Sequence, residues 1–348
     1  MKVLSDERTY RELTGPLVLT QADDAWHPHE DRNYVEWWYF DLINSDGGIV
    51  RGQFFISRDV SRPDQVRTGV RASYVKSDGA EILIEERFRF PLFWASTEQC
   101  DVQIGRNFIR GDLKDYTVHI ESEDKTLDLE LTSHLDGFRS HACFGDDRHC
   151  MHWVVPQPKC AAKGVFRTGS EILPIDGTGY RDHNWLNFPA MDVLAYWDWG
   201  RAYDEEYTII FADIATTKKY GGAEIKPFVL YDSKGLAFLT GEGNRWTFEK
   251  KGARFDGGTA RDYADTCLIR VNEGDFSFSL ELKLERVFQR LDLLADFNPV
   301  LRFLIKTFKA KPTITSFFSR GTGSLELGKT TRQLSVSAVH EFLTNVAR

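Results

Sequence analysis

Residues 35–60 read VEWWYFDLINSDGGIVRGQFFISRDV, with an apolar run on either side of Asp46-Gly47. An Asp-Gly pair between two apolar runs is a strong signal for a β-hairpin with a tight turn. This stretch therefore predicts two antiparallel strands, 35–43 and 49–60, and the same pattern recurs along the chain.

The rest of the chain repeats short apolar or alternating runs separated by turn residues. In TLDLELTS (126–133) leucines alternate with polar residues, which indicates a half-buried strand. The other runs are VRASYV (70–75), EILIEERFRF (81–90), DYTVHIES (115–122), YTIIFADI (207–214), PFVLYD (227–232), AFLTGE (237–242), RWTFEK (245–250), ADTCLIRV (264–271) and FSFSLELKLERV (276–287). Because no helices separate them, the spacing predicts an all-β chain of antiparallel sandwiches or barrels, without a clean internal repeat.

Two segments depart from this pattern. Asn298-Pro299 offers a helix N-cap, and an apolar face with basic neighbours follows, so we predict a short amphipathic helix at 299–309. This helix either covers a barrel end or touches a membrane surface. The stretch 155–190 is rich in Pro and Gly, and we interpret it as a linker or domain crossing.

Composition limits the classes of function. The 348 residues, with a formal net charge of −8, suggest about two domains and argue against nucleic acid as a partner. No run resembles a membrane span or secretory signal, and 5 Cys do not make a disulfide scaffold, so we expect a cytoplasmic protein. The aromatic content of 13% points to a large aromatic core or an aromatic-lined cavity.

Three clusters carry residues suited to chemistry. Glu36-Trp37-Trp38-Tyr39-Phe40 places aromatic rings on both faces of one strand, next to a Glu that needs a partner if it is buried. GTGYRDHNW (177–185) brings together an acid, an imidazole, a guanidinium and an indole. The alternative interpretation is a polar turn without a function. After YWDWGRA (196–202), Asp213 lies in line with Phe211 on an apolar strand. If Asp213 is buried, its pKa rises and it becomes a usable general acid; otherwise it is solvated or pairs with a Lys.

A group of Cys, His and Asp between 141 and 160 suggests zinc by its density alone. The group has no Cys-x-x-Cys pair and no His-Glu-x-x-His helix, so its spacing matches no standard zinc site. We therefore predict turn and core residues here rather than a metal site. The chain also has no P-loop and no G-x-S-x-G nucleophile elbow, which gives nucleotide binding and serine hydrolysis little support.

The motifs EWWYF, W-x-x-P-x-P (from Trp153), G-x-GYRDHNW and YWDWGRA occur in one order along residues 30–215. This combination resembles the lipocalin-like family of carotenoid 1,2-hydratases (hydroxyneurosporene synthases) and fungal decalin-forming Diels–Alderases. The resemblance implies two lipocalin-like β-domains, which we place at 1–185 and 186–348. It also implies an apolar pocket, no metal and no organic cofactor.

In the hydratases of this family a terminal isoprenoid double bond is protonated, and water captures the cation. Carried over by motif, the resemblance assigns His183 and Trp185 to the site, together with Asp213 and Phe211 on the following strand. Phe211 stands where the hydratases tend to have Tyr, and Leu186 where the family usually has Gly after the Trp. The first departure bears on the assignment of Asp213 and Phe211 to the site, and the second on the shape of the pocket.

We therefore predict a cofactor-independent enzyme that hydrates or cyclises an apolar isoprenoid or polyene, with Asp213, Asp182 and His183 as catalytic residues. Aromatic faces stabilise carbocations, and a dry pocket raises the pKa of an acid. The substrate-binding residues we predict are the aromatic and acidic members of the motifs: Glu36, Trp37, Trp38, Tyr39, Trp185, Tyr196, Trp197, Trp199 and Phe211. The alternatives are a pericyclase that only folds a polyene and a non-catalytic carrier of lipophilic ligands.

Overall fold

The computed structural model describes residues 3–5, 19–59, 62–144, 150–240, 246–259, 261–294 and 310–346. The helix predicted at 299–309 lies outside these ranges. The chain divides into two compact units, one formed by Gly15–Pro189 and the other by Ala190–Arg348 with Met1–Thr14. Nearly all regular structure in the described ranges is β-strand, which confirms the predicted all-β fold class.

The unit Gly15–Pro189 is built from twelve strands and two 3-10 turns. The turns are Gln21–Asp24 and Phe90–Leu92. A short strand β1, Val3–Ser5, precedes this unit. The strands of the unit are β2 Val35–Asn44, β3 Ile49–Asp59, β4 Arg62–Val75, β5 Glu81–Arg89, β6 Phe93–Ala95, β7 Cys100–Ile104, β8 Asn107–Gly111, β9 Asp115–Ser122, β10 Lys125–Thr132, β11 Phe138–Phe144, β12 Cys150–Arg167 and β13 Ile172–Leu186.

The hairpin predicted from the opening stretch is confirmed as β2 and β3. Its turn is closed by a hydrogen bond from Asn44 N–H to Gly48 O, 2.8 Å long, and Gly47 takes a positive φ of 79°. The Asp46 carboxylate accepts the Gly48 N–H at 2.8 Å. Gly tolerates this backbone conformation and Asp caps it, so the turn chemistry follows directly from the residue types.

Eleven of these strands form a single antiparallel path in the order β5-β4-β3-β2-β13-β12-β10-β9-β8-β7-β6, and β11 adds to β12. The path curls into a nearly closed barrel, and Ser122 on β9 hydrogen-bonds to Glu86 on β5. Alternating residues of the strands point inward and share one core. Within this path β2 lies next to β13, the last strand of the unit along the chain, and this pairing brings the EWWYF and GYRDHNW motifs side by side.

The interpretation of 155–190 as a linker is wrong, because β12 and β13 occupy most of it and pair with each other. Pro156 and Pro158 fall where the register shifts, and at such bulges a proline costs no ladder hydrogen bond. A Cβ at Gly177 would lie 2.3 Å from Ile43 O. The Pro and Gly content of this stretch therefore reflects bulges and close strand approach.

The unit formed mainly by Ala190–Arg348 has the same strand plan. It begins with a four-residue helix α1, Ala190–Val193, and contains a 3-10 turn, Lys218–Tyr220. Its strands are β14 Leu194–Tyr203, β15 Thr208–Thr216, β16 Glu224–Ile225, β17 Phe228–Asp232, β18 Gly235–Thr240, β19 Trp246–Lys251, β20 Arg254–Asp256, β21 Arg261–Tyr263, β22 Thr266–Glu273, β23 Phe276–Asp292, β24 Ala310–Leu327 and β25 Thr330–Val346.

The main sheet of this unit has the order β18-β17-β15-β14-β25-β24-β23-β22-β19, and the hairpin β20-β21 is separate. The first long strand, β14, pairs with the last, β25, as β2 pairs with β13 in the other unit. The two units thus repeat a topology although no repeat is visible in the sequence. Among the described residues, no helix has the length and apolarity needed to cross a membrane.

Candidate active site

Consecutive side chains of the GYRDHNW motif point to opposite faces of β13, as expected for a strand. Tyr180, Asp182 and Asn184 interact with one another on one face. His183 lies on the other face, where its ring stacks on Trp38 of the barrel core with a centroid distance of 4.6 Å. The predicted catalytic residues Asp182 and His183 are therefore in two different environments, although they are adjacent in sequence.

Asp182 is a buried acid that is hydrogen-bonded to neutral donors. Its Oδ2 accepts the Tyr180 hydroxyl at 2.9 Å and the Trp153 indole N–H at 3.1 Å, and its Oδ1 accepts the Asn184 amide at 2.9 Å. Burial raises the pKa of Asp182 to about 7, although the hydrogen bonds from Tyr180 and Trp153 act to lower it. A substantial fraction of Asp182 is therefore a neutral carboxylic acid at neutral pH.

Aromatic rings surround this acid. On the neighbouring strand β2, Tyr39 is the register partner of Asp182, and Trp37 is that of Asn184. Both rings are half-buried. Paired residues of antiparallel strands lie on the same face of the sheet. We call the surface formed by Trp37, Tyr39, Trp153, Tyr180 and Asp182 the Asp182 face.

His183 lies inside the barrel between two carboxylates. Its Nε2 is 2.7 Å from Glu36 Oε1, its Nδ1 is 3.4 Å from Asp24 Oδ1, and all three side chains are fully buried. Burial by itself lowers the pKa of the His183 imidazole, but the hydrogen bonds and charges of Asp24 and Glu36 raise it above its ordinary value. The two carboxylates therefore favour the protonated form of the ring.

A second set of contacts neutralises Asp24. Arg181 Nη1 is 2.8 Å from Asp24 Oδ2, and the Tyr116 hydroxyl donates to the same oxygen at 2.6 Å. Burial favours a raised pKa for Asp24, yet the positive charge of Arg181 and the bond to His183 lower it. Because every member is buried, this network stays charged only through its internal pairs.

Glu36 is connected to the edge of the barrel. The His27 backbone N–H donates to Glu36 Oε1 at 3.0 Å, and the Tyr34 hydroxyl donates to Oε2. The His27 ring stacks on Trp185 at a centroid distance of 3.7 Å. The other stacking partner of Trp185 is His152, at 4.5 Å. His27 keeps 31% of its side chain exposed, so this cluster reaches the surface of the unit.

Sequence reasoning missed Asp24, His27, Tyr34 and Tyr116. Asp24 lies in the first 3-10 turn, and the other three lie outside the motifs that we singled out. No spacing signal connects them with Glu36 or His183, because the barrel brings distant segments together, as when it places Asp24 against Arg181 across 157 positions.

The remaining predicted residues lie in the other unit. Asp213 on β15 is the register partner of Asp198 on β14. The Tyr196 hydroxyl donates to Asp213 Oδ1 at 3.3 Å, and Lys226 Nζ is 3.8 Å from Oδ2. Burial raises the pKa of Asp213, and the charge of Lys226 opposes the rise. Asp198 forms an ion pair with Lys250.

Three predicted aromatic residues lie on the same two strands as these acids, β14 and β15. Phe211 is fully buried in the core of the unit, 5.4 Å from Phe248 between ring centroids. Trp197 and Trp199 alternate with Asp198 along β14 and so point to the opposite face of the strand. Among the described residues, each unit thus has a carboxyl group whose pKa is raised by burial: Asp182 in one and Asp213 in the other.

The Cys and His group at 141–160 is only partly described. Cys150 is disulfide-bonded, so it is not a free thiolate ligand. Cys160 is a free, buried thiol, and His152 stacks on Trp185. His141 and Cys143 lie in β11, while 145–149 lie outside the described residues. A disulfide also counts against the reducing compartment that we expect from the low Cys content, and the cytoplasmic location stays a prediction.

Solved structures share this fold. An AttH-type protein from Nitrosomonas europaea matches with a TM-score of 0.63 and 17% identity, over 95% of this chain and 98% of that one. CghA with Sch210972 matches with a TM-score of 0.59 and 12% identity, over 99% and 98%. Kievitone hydratase from Nectria haematococca matches with a TM-score of 0.59 and 14% identity, over 95% and 94%.

One characterised sequence relative is also similar, whereas no family model matches the chain. It is a hydroxyneurosporene dehydrogenase from Chlorobaculum tepidum, 25% identical over 233 residues. The match covers 56% of this chain and 60% of that relative, which is less than two thirds of its length. These similarities agree with the resemblance that the motifs indicate, and they show that the chain shares its fold with the solved structures named above.

Proposed function

We propose that this protein is a hydratase or cyclase that protonates a C=C bond of an apolar isoprenoid or polyene at the Asp182 face. The observation that carries the proposal is a buried carboxyl group with a pKa of about 7 among aromatic rings. A general acid works best when its pKa is near the working pH. The names of two similar proteins, a hydratase and a hydroxyneurosporene dehydrogenase, support the substrate and reaction class.

The reaction begins when the carboxylic acid of Asp182 transfers its proton to one alkene carbon. The C=C π electrons form the new C–H bond, and the other carbon becomes a carbocation. The Tyr180 hydroxyl, the Trp153 indole and the Asn184 amide stabilise the carboxylate that remains, because each already donates a hydrogen bond to it.

The aromatic rings of the Asp182 face then stabilise the carbocation. Trp37 and Tyr39 present aromatic surfaces on the strand beside Asp182. The negative face of an aromatic ring stabilises a nearby cation by about 0.5–2 kcal/mol, and more strongly when water is excluded. Water captures the cation in a hydratase and loses a proton, which restores Asp182. In a cyclase an internal alkene attacks, and loss of a proton from carbon closes the cycle.

Asp213 is the second candidate acid, and it is the one that the family resemblance assigns. It lies 3.8 Å from the Lys226 ammonium, which favours its ionised form. Asp182, in contrast, accepts hydrogen bonds from the neutral groups of Tyr180, Trp153 and Asn184. We therefore favour Asp182 as the general acid, and the variants Asp182→Asn and Asp213→Asn distinguish the two candidates.

Solvent deuterium incorporation tests the proposal. The chelator-treated protein is incubated in deuterium oxide with linear isoprenoids and polyenes, and products are analysed by mass spectrometry. We expect deuterium at carbon in the product, together with a gain of one water or a rearranged skeleton. Asp182→Asn removes this product, whereas Asp78→Asn, a change of an exposed turn acid, keeps it.

The other outcomes contradict specific parts of the proposal. Loss in Asp213→Asn with retention in Asp182→Asn moves the acid to the other unit. A ring-closed product without deuterium identifies a pericyclase, in which positioning supplies the rate enhancement. Stoichiometric binding of a substrate that the unaltered protein never converts identifies a carrier.

A further inference from the structure

Three side chains from distant positions converge at the edge of the barrel with metal-ligating atoms. His27 Nδ1, Glu36 Oε1 and His183 Nε2 all lie within 4.8 Å of one another. Glu36 Oε1 is 2.7 Å from His183 Nε2 and 3.5 Å from His27 Nδ1. Two ligands of a tetrahedral zinc ion lie roughly 3.3 Å apart, given metal–ligand bonds of about 2.0–2.1 Å. The two measured separations bracket that value.

The residue types match a recognised donor set. Two imidazoles and one carboxylate bind zinc in several proteins and leave a fourth position for water. His27 Nδ1 is buried and has no hydrogen-bond partner among the described residues, although it lies 3.5 Å from Glu36 Oε1, so this atom is available to bind an ion. In the metal-free form, the short contact between His183 and Glu36 holds a proton, and the ion takes the place of that proton.

Acidic and hydroxyl side chains surround the three ligands. A metal-bound imidazole nearly always donates its other N–H to a carboxylate, and Asp24 Oδ1 lies 3.4 Å from His183 Nδ1. Asp24 is itself held by Arg181 and Tyr116. The second oxygen of Glu36 accepts the Tyr34 hydroxyl, and Oε1, which would bind the ion, also accepts the His27 backbone N–H at 3.0 Å, so both oxygens are held in place.

The position of the three side chains lets an ion enter from the surface and gives the ion a structural role. His27 is 31% exposed, so an ion reaches the site from the edge of the unit, whereas Glu36 and His183 are fully buried. His27 lies in the segment between the first 3-10 turn and β2, and the other two ligands lie on β2 and β13. An ion here ties that segment to the two central strands.

We propose that His27, Glu36 and His183 form a binding site for a divalent ion of the zinc type. The site lies on the opposite face of β13 from Asp182, so it stabilises the barrel and does not take part in the proton transfer proposed above. It does not depend on the proposed function.

Zinc binding to the untagged, chelator-treated full chain tests the site. We expect isothermal titration with Zn²⁺ to give one ion per chain and the midpoint of thermal unfolding to rise with free Zn²⁺. His27→Ala is the principal variant, because His27 is partly exposed and its loss leaves the buried ion pairs in place. This variant loses the high-affinity site while its circular dichroism spectrum is retained.

Two further variants refine the assignment. Asp24→Asn keeps all three ligands and is expected to weaken Zn²⁺ affinity by about 10–100-fold, as outer-shell changes do. His119→Ala is the matched control, since His119 Nδ1 lies 2.7 Å from Asp128 in a similar His–carboxylate pair at the surface. It binds Zn²⁺ like the unaltered chain.

Two results overturn the proposal. One is the absence of stoichiometric binding by the unaltered chain; the other is equal Zn²⁺ affinity in the unaltered chain and His27→Ala. Deuterium incorporation by the zinc-free protein is measured in parallel. Turnover without zinc supports the structural role, and turnover that requires zinc contradicts the separation of the two sites.

Discussion

At the residue scale, the acid–base properties of this protein arise from burial and from the number of charged partners. Asp182 and Asp24 are both buried carboxyls in the same barrel, yet their pKa values move in opposite directions. Asp24 has Arg181 and His183 as cationic partners, whereas the donors to Asp182 are neutral. Burial penalises a charge, and only an opposite charge offsets that penalty fully.

The first prediction concerns activity and pH. If Asp182 is the acid, the rate with saturating substrate falls about tenfold per pH unit once the pH exceeds its pKa of about 7. Asp182→Asn lowers the rate by roughly 100–10,000-fold, the usual contribution of a general acid. Steady-state kinetics across the pH range check this. A rate that stays constant through the pKa of Asp182 contradicts the assignment.

The second prediction concerns the buried ion pair. Arg181→Met leaves the Asp24 carboxylate buried without its guanidinium partner. We expect it to lower the free energy of unfolding by about 3–5 kcal/mol, because an uncompensated charge remains in the barrel. Arg110→Met, which breaks the exposed pair with Asp101 at 2.7 Å, is the control and costs at most about 1 kcal/mol. Urea unfolding followed by circular dichroism measures both, and equal losses contradict the argument.

At the element scale, both units use an aromatic ring over a glycine to bring strands together. Phe40 on β2 is paired with Gly52 on β3, and Phe211 on β15 is paired with Gly200 on β14. In each pair a Cβ on the glycine would lie 2.4 Å from the Cζ of the ring. Because glycine has no side chain, the aromatic ring packs directly against its backbone. This close packing helps each sheet to curl.

The third prediction follows from this pairing. Gly52→Ala forces Phe40 to move and is expected to lower the free energy of unfolding by about 1–3 kcal/mol, the usual cost of overpacking. Gly257→Ala is the control, because an added Cβ there meets nothing within 4 Å. Its effect is small, or slightly stabilising through the unfolded chain. Denaturant unfolding midpoints of both variants measure these effects. Equal midpoints for Gly52→Ala and Gly257→Ala contradict the packing argument.

At the scale of the whole molecule, two buried neutral groups shape the pH dependence of stability. Burial lowers the pKa of His340 to about 3. Between about pH 3 and about pH 6.5, His340 is therefore protonated in the unfolded chain and neutral in the folded chain. Stability from this group is complete above about pH 6.5 and is lost as the pH falls toward 3. Asp182 acts in the opposite direction: its folded pKa of about 7 lies above the ordinary aspartate pKa of 3.8, so the stability that it contributes is lost as the pH rises from 3.8 to about 7.

The fourth prediction isolates the Asp182 contribution. Asp182→Asn keeps a neutral, hydrogen-bonding side chain, so its stability relative to the unaltered protein rises from about pH 4 to about pH 7 and levels off above that. Urea unfolding of both proteins at about pH 5 and about pH 8 measures the difference. A gain that is the same at both pH values means that Asp182 ionises normally in the folded protein.

The order and type of the strands follow from local features of the sequence. The hairpin at 35–60, the turn at Asp46-Gly47 and the alternating strand at 126–133 are confirmed because turn geometry and side-chain alternation depend on neighbouring residues. The segment 155–190 was wrongly interpreted because Pro and Gly have the same local preferences in a linker and in a bulged strand, and only pairing with β2 and β12 distinguishes them.

By itself, the sequence determined an all-β chain and drew attention to GYRDHNW as a place of unusual chemistry. Only the tertiary structure decided that Asp182 and His183 face different environments, and that His27 and Asp24 join His183. The physical reason is that burial and charge act through space. A pKa or a ligand set depends on which side chains the strand register places within a few ångströms, and that register is a property of the whole barrel.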